Sequence, residues 1–387
     1  MIDMKVILCI TGSIAAVEDL KLVHQLQRRG FEVECFMTPS ACEIITPLSM
    51  EFATKNPVNT KITGYVEHVV NAQADLILVA PATANTIGKF ANKIADTNVT
   101  TLLLTASGYD TPILFVPSMH ISMYEAIEDN INKIKENYPQ IRFMEPVNAE
   151  RKAKFPSKED IALEVERMLN VPSLKDKNVL VSTGATFEAI DAMRGITNRS
   201  SGKMGVEIAK QAYRCGANVT LLCGQLHTHV PSVFNRIDVE STQEMMDVIS
   251  KQIESTDIYV SAAAISDFKI EDYCENKYPS EEDITIKFAR LPKLLEKIKQ
   301  LNPDTFVVGF KAEAGVTRDE LISKARNRMN KYDADIMIAN DILVENGGPG
   351  SDNNEVYIID DSSCDKVSLD SKENISKKIV DKVISLL

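Results

Sequence analysis

The chain has 387 residues, 44% of them apolar and 25% charged, with 55 acidic against 43 basic side chains and a net charge of −12. These values exclude a disordered chain and, at about 150 residues per domain, ask for two or three cores. The acidic balance argues against nucleic acid or an anionic membrane as partner, and no stretch approaches the ~18 to 20 apolar residues of a membrane span.

The start, MIDMKVILCITG, has no basic region followed by a cleavable apolar stretch and reads as a strand, so a cytoplasmic protein is expected. KVILCI is that strand, TGSIAAVED opens a helix that runs to Arg29 and stops at Gly30, and FEVECFMT is a second strand: a βαβ unit. ADLILVA is a further strand, running into Pro-Ala-Thr-Ala-Asn85. The scheme restarts after NVPSLKDK. NVLVST is a strand, GATFEAIDAMRGITNRSSG a long loop, KMGVEIAKQAYRC a helix stopped by Gly216, and ANVTLLCG a strand. TDIYVSAAA then runs into Ile-Ser-Asp267, and ADIMIA into Asn340-Asp341. Two starts of one scheme predict two doubly wound α/β domains, joined near Val171 to Lys175.

In such sheets ligands lie beyond the carboxyl ends of the strands, where small residues let a ring or sugar approach the backbone. Asn85, Asp267 and Asn340-Asp341 stand at such ends, although Asn and Asp are also ordinary turn formers. Arg199 to Gly205, RSSGKMG, is not a Walker loop, because Thr197 replaces its first glycine and Met204 its hydroxyl. TGSIAA lacks the three glycines of a dinucleotide fingerprint. Its single glycine favours one phosphate, as in FMN, over a pyrophosphate. The seven cysteines show no C-x-x-C pairing and read as buried small hydrophobes; His227 and His229 form an H-x-H with no further ligand nearby for zinc.

Gly12-Ser13-Ile14-Ala15-Ala16, Met37 to Ala41, Ala80 to Asn85, Lys93 to Asp96 and Val116 to Met119 together resemble the FMN-dependent cysteine decarboxylases. The resemblance implies a flavodoxin-like domain over 1–172. It also implies an FMN site at Gly12, Ser13, Thr38, Ser40, Thr83, Asn85 and Met119, and His68 as catalytic base. The chemistry fits: losing CO₂ from a cysteinyl group leaves an electron pair that no side chain can accept, and a flavin can. Substrate would meet Asn85, His120, Lys152 and Lys154. Two departures stand out. His120 follows Pro-Ser-Met where relatives often have asparagine, and no cysteine occurs between Cys42 and Cys215 where bacterial relatives carry a protonating thiol on a flap. The corresponding stretch, VNAERKAKFPS, offers Glu150, Arg151, Lys152 and Lys154, and the two lysines are expected to clamp substrate phosphate while a different group protonates.

The second half resembles the phosphopantothenoylcysteine synthetases through Gly184, Thr186, Glu188, Asp191, Arg194, Asn198 and Ser200 to Gly205. The resemblance implies a ligase domain over 176–387. Its nucleotide site, for CTP as in microbial members, would comprise Ser201, Gly202 and Lys203 at a helix N-terminus; Ser261, Ala262, Ala263 and Asp267 around base and ribose; Lys277; Pro292, Lys293, Leu294 and Leu295; Phe310; and Lys324, Arg328 and Lys331. Leu291 stands where relatives commonly have asparagine. Arg194, Asn198 and Asn353 would meet the acid substrate, with Asn198 stabilising the acyl intermediate. No metal-ligand set is assigned; Mg²⁺ would arrive with the nucleotide, near Asp267.

The domain order is that of the bifunctional phosphopantothenoylcysteine decarboxylase/phosphopantothenate–cysteine ligases of coenzyme A synthesis, and Glu67-His68 and Pro-Ser-Met-His120 look archaeal. That family implies a homo-oligomer, with trimers of the flavin domain and dimers of the ligase domain, and no nucleic-acid or membrane partner. Two rival readings are a flavin oxidoreductase, disfavoured by the missing dinucleotide fingerprints, and a ligase whose flavin half is degenerate and regulatory.

Overall fold

The computed structural model describes residues 4–387 except 146, 150, 151, 280, 282 and 284, and for 147–149 and 152–154 the backbone alone. The chain forms two compact units, Met1–Leu169 and Asn170–Leu387. In the first, β1 (Lys5–Ile10), β2 (Glu32–Met37), β3 (Val58–Asn59), β4 (Leu76–Ala82) and β5 (Ile113–Pro117) form a parallel sheet. β6 (Met119–His120) stands apart, and β7 (Ile141–Phe143) completes the main sheet in the order β3-β2-β1-β4-β5-β7. β1, β4 and β5 are almost wholly buried, as expected of strands covered on both faces. One face of the sheet packs Phe90, Phe115, Leu102 and Ile134 into a continuous core. A hairpin of β8 (Val147–Ala149) and β9 (Lys152–Lys154) pairs back onto β6, with Met119 opposite Ala153 and His120 opposite Lys152.

The second unit opens with β10 (Asn178–Thr183). The segment read from sequence as one long loop instead contains a small antiparallel hairpin, β11 (Phe187–Ala189) and β12 (Gly195–Thr197). Gly195 permits it, because a Cβ there would strike the Phe187 ring at 2.1 Å. The helix Lys203–Arg214 leads to β13 (Asn218–Cys223), and β14 (Asn235–Asp238) and β15 (Ile258–Ser261) follow. β16 (Phe268–Ile270) and β17 (Phe288–Arg290) make a second outlying hairpin. β18 (Phe306–Glu313), β19 (Ile336–Asp341), β20 (Asn353–Ile359) and β21 (Cys364–Ser371) complete a sheet of order β14-β13-β10-β15-β18-β19-β20-β21. It is parallel up to β19, and its last two strands run antiparallel.

Both sheets reverse their strand order once, between β1 and β4 and between β10 and β15, which opens a crevice at the carboxyl ends. In the second unit the helix Lys203–Arg214 comes down onto this point. The Thr183 hydroxyl donates to the Gly202 carbonyl at 2.8 Å, and a Cβ on Gly205 would stand 2.4 Å from that hydroxyl oxygen. Gly205→Ala therefore overpacks a site that has no room to yield. The expected cost is about 1–3 kcal/mol, seen as a lowered thermal transition of the second unit with amide exchange in the first unchanged.

Candidate functional sites

In the first unit the loops after four strands close on one another. The Thr11 hydroxyl donates to the Pro81 carbonyl (2.6 Å) and accepts from the Thr83 N–H (3.1 Å), joining the ends of β1 and β4. A Cβ on Gly12 would lie 2.6 Å from that of Ser40, so only glycine lets the β1 and β2 loops approach this closely. Ser13 reaches the Ser118 carbonyl after β5 at 3.4 Å. Thr38 and Thr83 are N-caps of the helices Pro39–Cys42 and Ala84–Ala91, accepting from Ala41 and Thr86. Ser40 and Asn85 are exposed, and Met119 is partly buried against the core. Of the residues expected to hold a flavin, Gly12, Ser13, Ser40 and Thr83 are thus drawn into one loop cluster at the carboxyl ends of the strands, rich in hydroxyls and helix N-termini.

His68 sits on a single turn, Glu67–Val70, whose entry is held by local strain and local bonds. Val66 adopts φ 48°, rare for a β-branched residue. The Glu67 carboxylate accepts from both the N–H and the hydroxyl of Thr63, which holds its carboxyl below the usual range. The Asn71 amide then ties the Glu67 carbonyl to Lys5 of β1. Nδ1 of the half-buried His68 is shielded from solvent and has no hydrogen-bond partner among the described residues. His120 is exposed and caps the helix Ile121–Ala126; its Nδ1 lies 2.8 Å from the Ser122 hydroxyl and accepts from the Ser122 N–H at 3.3 Å. The side chains of Lys152 and Lys154 lie outside the described residues, as do Glu150 and Arg151. Their hairpin's backbone lies alongside Met119 and His120.

The second unit's crevice holds two adjoining cavities. One, of about 260 Å³, is lined by Ser261, Ala263, Asp267, Pro292 to Leu295, Phe310, Lys311 and Arg328 among others. The other, of about 520 Å³, is lined by Asn198 to Gly205, Ala262 to Ala264, Phe310, Asn340, Asn354 and Lys372 among others. They share Ala263, Ala264, Phe310 and Ala312, whose small or flat side chains leave the passage open. Gly202, at φ 77°, turns the chain into the helix Lys203–Arg214 and needs the left-handed region that glycine enters freely. Lys203 meets Asp352 at 2.6 Å, Lys293 pairs with Asp267, and the Asn198 amide donates to the Ala264 carbonyl at 3.1 Å.

Several expected residues sit differently. Lys324 and Lys331 line a separate cavity of about 340 Å³ and are paired with Glu313 and Glu296; only Arg328 and Lys311 face both it and the smaller crevice cavity. Lys277 is exposed. Asn354, buried, lines the large cavity beside the expected Asn353. Asn340, expected at a ligand-facing strand end, lines the large cavity, whereas sequence reading does not single out Lys311 or Lys372.

Arg194 is engaged within the protein. Its guanidinium and the N–H groups of Met193, Arg194 and Tyr278 all donate to the Asp191 carboxylate, and Arg194 also donates to the Tyr278 carbonyl. The pair anchors the segment that carries Lys277. Hydrogen bonds from Arg194, opposed by burial and aided by those N–H groups, hold the Asp191 carboxyl well below the usual range. A carboxyl depressed in this way stabilises the fold fully above its unfolded pKa of about 3.9 and loses that contribution as pH falls through the folded value. Asp191→Asn is expected to expose the amides of 274–278 to exchange at neutral pH, as strong acid does in the unsubstituted protein; unchanged protection would remove the anchoring role.

Among the described residues no cluster of three or more metal-ligating side chains exists, and no helix is long and apolar enough to cross a membrane. Residues 2–170 match the family model described as Flavoprotein, and 174–387 that described as DNA/pantothenate metabolism flavoprotein C-terminal domain. Over its full length the chain is similar to proteins named Coenzyme A biosynthesis bifunctional protein CoaBC. That of Thermococcus kodakarensis is 42% identical, covering 100% of this chain and 96% of the relative. That of Methanocaldococcus jannaschii is 38% identical, covering 99% and 94%, and that of Bacillus subtilis 30% identical, covering 98% and 97%.

Proposed function

The chain belongs to the bifunctional proteins of coenzyme A biosynthesis, with a phosphopantothenoylcysteine decarboxylase half and a phosphopantothenate–cysteine ligase half, and from that premise we propose how its residues divide the two reactions. Residues 176–387 carry the ligase. The acid's carboxylate attacks the α-phosphorus of CTP, expelling pyrophosphate, and the cysteine amine then displaces CMP from the acyl-cytidylate to form the amide. Supporting this reading, a cavity walled by the Ser-Ser-Gly-Lys turn opens into a smaller one with a flat aromatic wall at Phe310. Phosphates lie at the first, on Ser201, Gly202 and Lys203; base and ribose lie in the second, against Ser261, Ala263 and Pro292 to Leu295. Arg328 meets charge where its cavities adjoin. Asn198 holds the acyl oxygen, and Arg194 acts through the Lys277 segment. Mg²⁺ comes bound to the triphosphate, in keeping with the ion's preference for phosphate oxygens and water over an all-protein cage.

Residues 1–172 carry the decarboxylase, and FMN is its cofactor. The crevice fits a phosphorylated flavin: the Gly12–Ser40 approach closes a hydroxyl-lined loop cluster, and the shielded Nδ1 of His68 has no protein partner among the described residues. Bound flavin supplies the electron sink that lets the substrate lose CO₂. His68 takes up the proton, its segment kept in place by Thr63 and Asn71. Thr38, Ser40 and Thr83 donate to cofactor oxygens, and Asn85, Met119 and His120 orient the substrate beneath the β8–β9 hairpin. Exposed Ile14, Leu48, Phe52, Tyr65 and Val70 offer this half an apolar surface for self-association, in keeping with a proposed homo-oligomer that is trimeric through this half and dimeric through the ligase half, and we place the protein in the cytoplasm.

The test is incubation of the full chain with phosphopantothenate, cysteine, Mg²⁺ and either CTP or ATP, with products followed by mass spectrometry. CTP is expected to support phosphopantetheine formation. His68→Asn is expected to slow decarboxylation by about 10²–10⁴-fold, so that phosphopantothenoylcysteine accumulates. Lys203→Met should block its formation yet leave added phosphopantothenoylcysteine decarboxylated. Undiminished phosphopantetheine from the His68 variant removes that residue from the base role.

A further inference from the structure

Lys372 is the first residue of the helix Lys372–Leu386, far in sequence from the Ser-Ser-Gly-Lys turn, yet it lines the same large cavity. Its side chain is buried, the residue being only 6% exposed. Nζ donates to the carbonyls of Ser351 at 2.6 Å and Gly348 at 3.2 Å, and an ammonium has three N–H donors, so one remains for the cavity. Gly348 makes the loop possible: at φ 81°, with a Cβ that would stand 2.5 Å from the Ile342 carbonyl oxygen, it must be glycine.

Charge is the telling feature. Burial, and then the positive charge of Lys203, push the Lys372 ammonium down from its usual range, and the Asp352 charge opposes them only in part. Asp352, the neighbouring carboxylate, is hydrogen-bonded to Lys203 and is exposed. Two carbonyl dipoles do not neutralise a buried ammonium, and the carboxylate near both lysines is exposed and hydrogen-bonded to Lys203, so a further anion in the cavity would be attracted by both cations. The same cavity is also lined by the N-terminus of a twelve-residue helix and by Ser200 and Ser201, groups suited to the same kind of ligand.

We propose that Lys372 is a ligand-binding residue of the ligase site, its free N–H reaching a phosphoryl group held between it and the Ser-Ser-Gly-Lys turn. Either phosphate-bearing substrate, the nucleotide or the phosphorylated acid, presents that chemistry. The proposal rests on the ligase reading above, and the experiment separates the two.

The full chain is compared with Lys372→Gln, which keeps N–H donors for the Gly348 and Ser351 carbonyls without the charge, and with Lys372→Arg. Inorganic tripolyphosphate should raise the melting temperature of the unsubstituted protein and of the arginine variant, and hardly that of the glutamine variant. In the glutamine variant the KM for one substrate, CTP or phosphopantothenate, should rise about tenfold or more, the other KM and the decarboxylation of added phosphopantothenoylcysteine holding; the KM that moves identifies the ligand. An equal tripolyphosphate shift in the glutamine variant overturns the proposal, whether kinetics are unchanged or kcat and both KM values drift together as for a loop strap. An unsubstituted protein that neither responds to tripolyphosphate nor turns over CTP removes the ligase reading itself.

Discussion

Each half of the chain depends on what happens where a parallel sheet changes direction. At β1 and β4, and again at β10 and β15, consecutive loops leave toward opposite faces and expose the backbone ends of both strands. Whatever packs over that gap must be small or must carry its own hydrogen bonds. This explains Gly12 against Ser40, Gly205 against Thr183, and the hydroxyl of Thr11 bridging Pro81 and Thr83. The same residues that close the fold are therefore those that leave space for a ligand. Packing and function are not separable there.

The ligase crevice reaches the ends of a phosphate loop by other means. A Walker loop wraps phosphate in consecutive backbone N–H groups, with lysine and hydroxyl on one short segment. Here the groups that line the large cavity, and that the proposed function turns toward phosphate, come from places far apart: Ser200 to Lys203 before one helix, Asn198 after a hairpin, and Lys372 at the start of another helix. The hairpin's hold on Asp191, Arg194 and Tyr278 extends this to the Lys277 segment. The first unit works similarly, with His68 fastened to β1 through Asn71 and Lys5.

The buried strands were legible because fully covered parallel strands read as unbroken apolar runs, such as VILCI and LILVA. Gly30 and Gly216 marked helix ends by the same local logic, and both take positive φ. The β11–β12 hairpin was not legible, since its stability comes from Phe187 lying against Gly195 and from Asp191, not from alternation. Residues of the Ser-Ser-Gly-Lys and Ser-Ala-Ala-Ala motifs line the two adjoining cavities of the second unit. Lys324 and Lys331 show what spacing leaves out: their partners, Glu313 and Glu296, lie on other elements. Lys372 was invisible for the converse reason. In sequence it is one lysine among several on an amphipathic helix, and only the burial of its ammonium sets it apart.

The placement of Lys372 also orders events during translation. The Ser-Ser-Gly-Lys turn emerges from the ribosome well before the segment that walls the far side of its cavity, and the helix bearing that lysine must first dock on the helix Lys203–Arg214. The flavin half can reach its native state while the ligase half is still being made. A stop codon between residue 170 and residue 372 would leave the first unit whole and the second without the helix Lys372–Leu386.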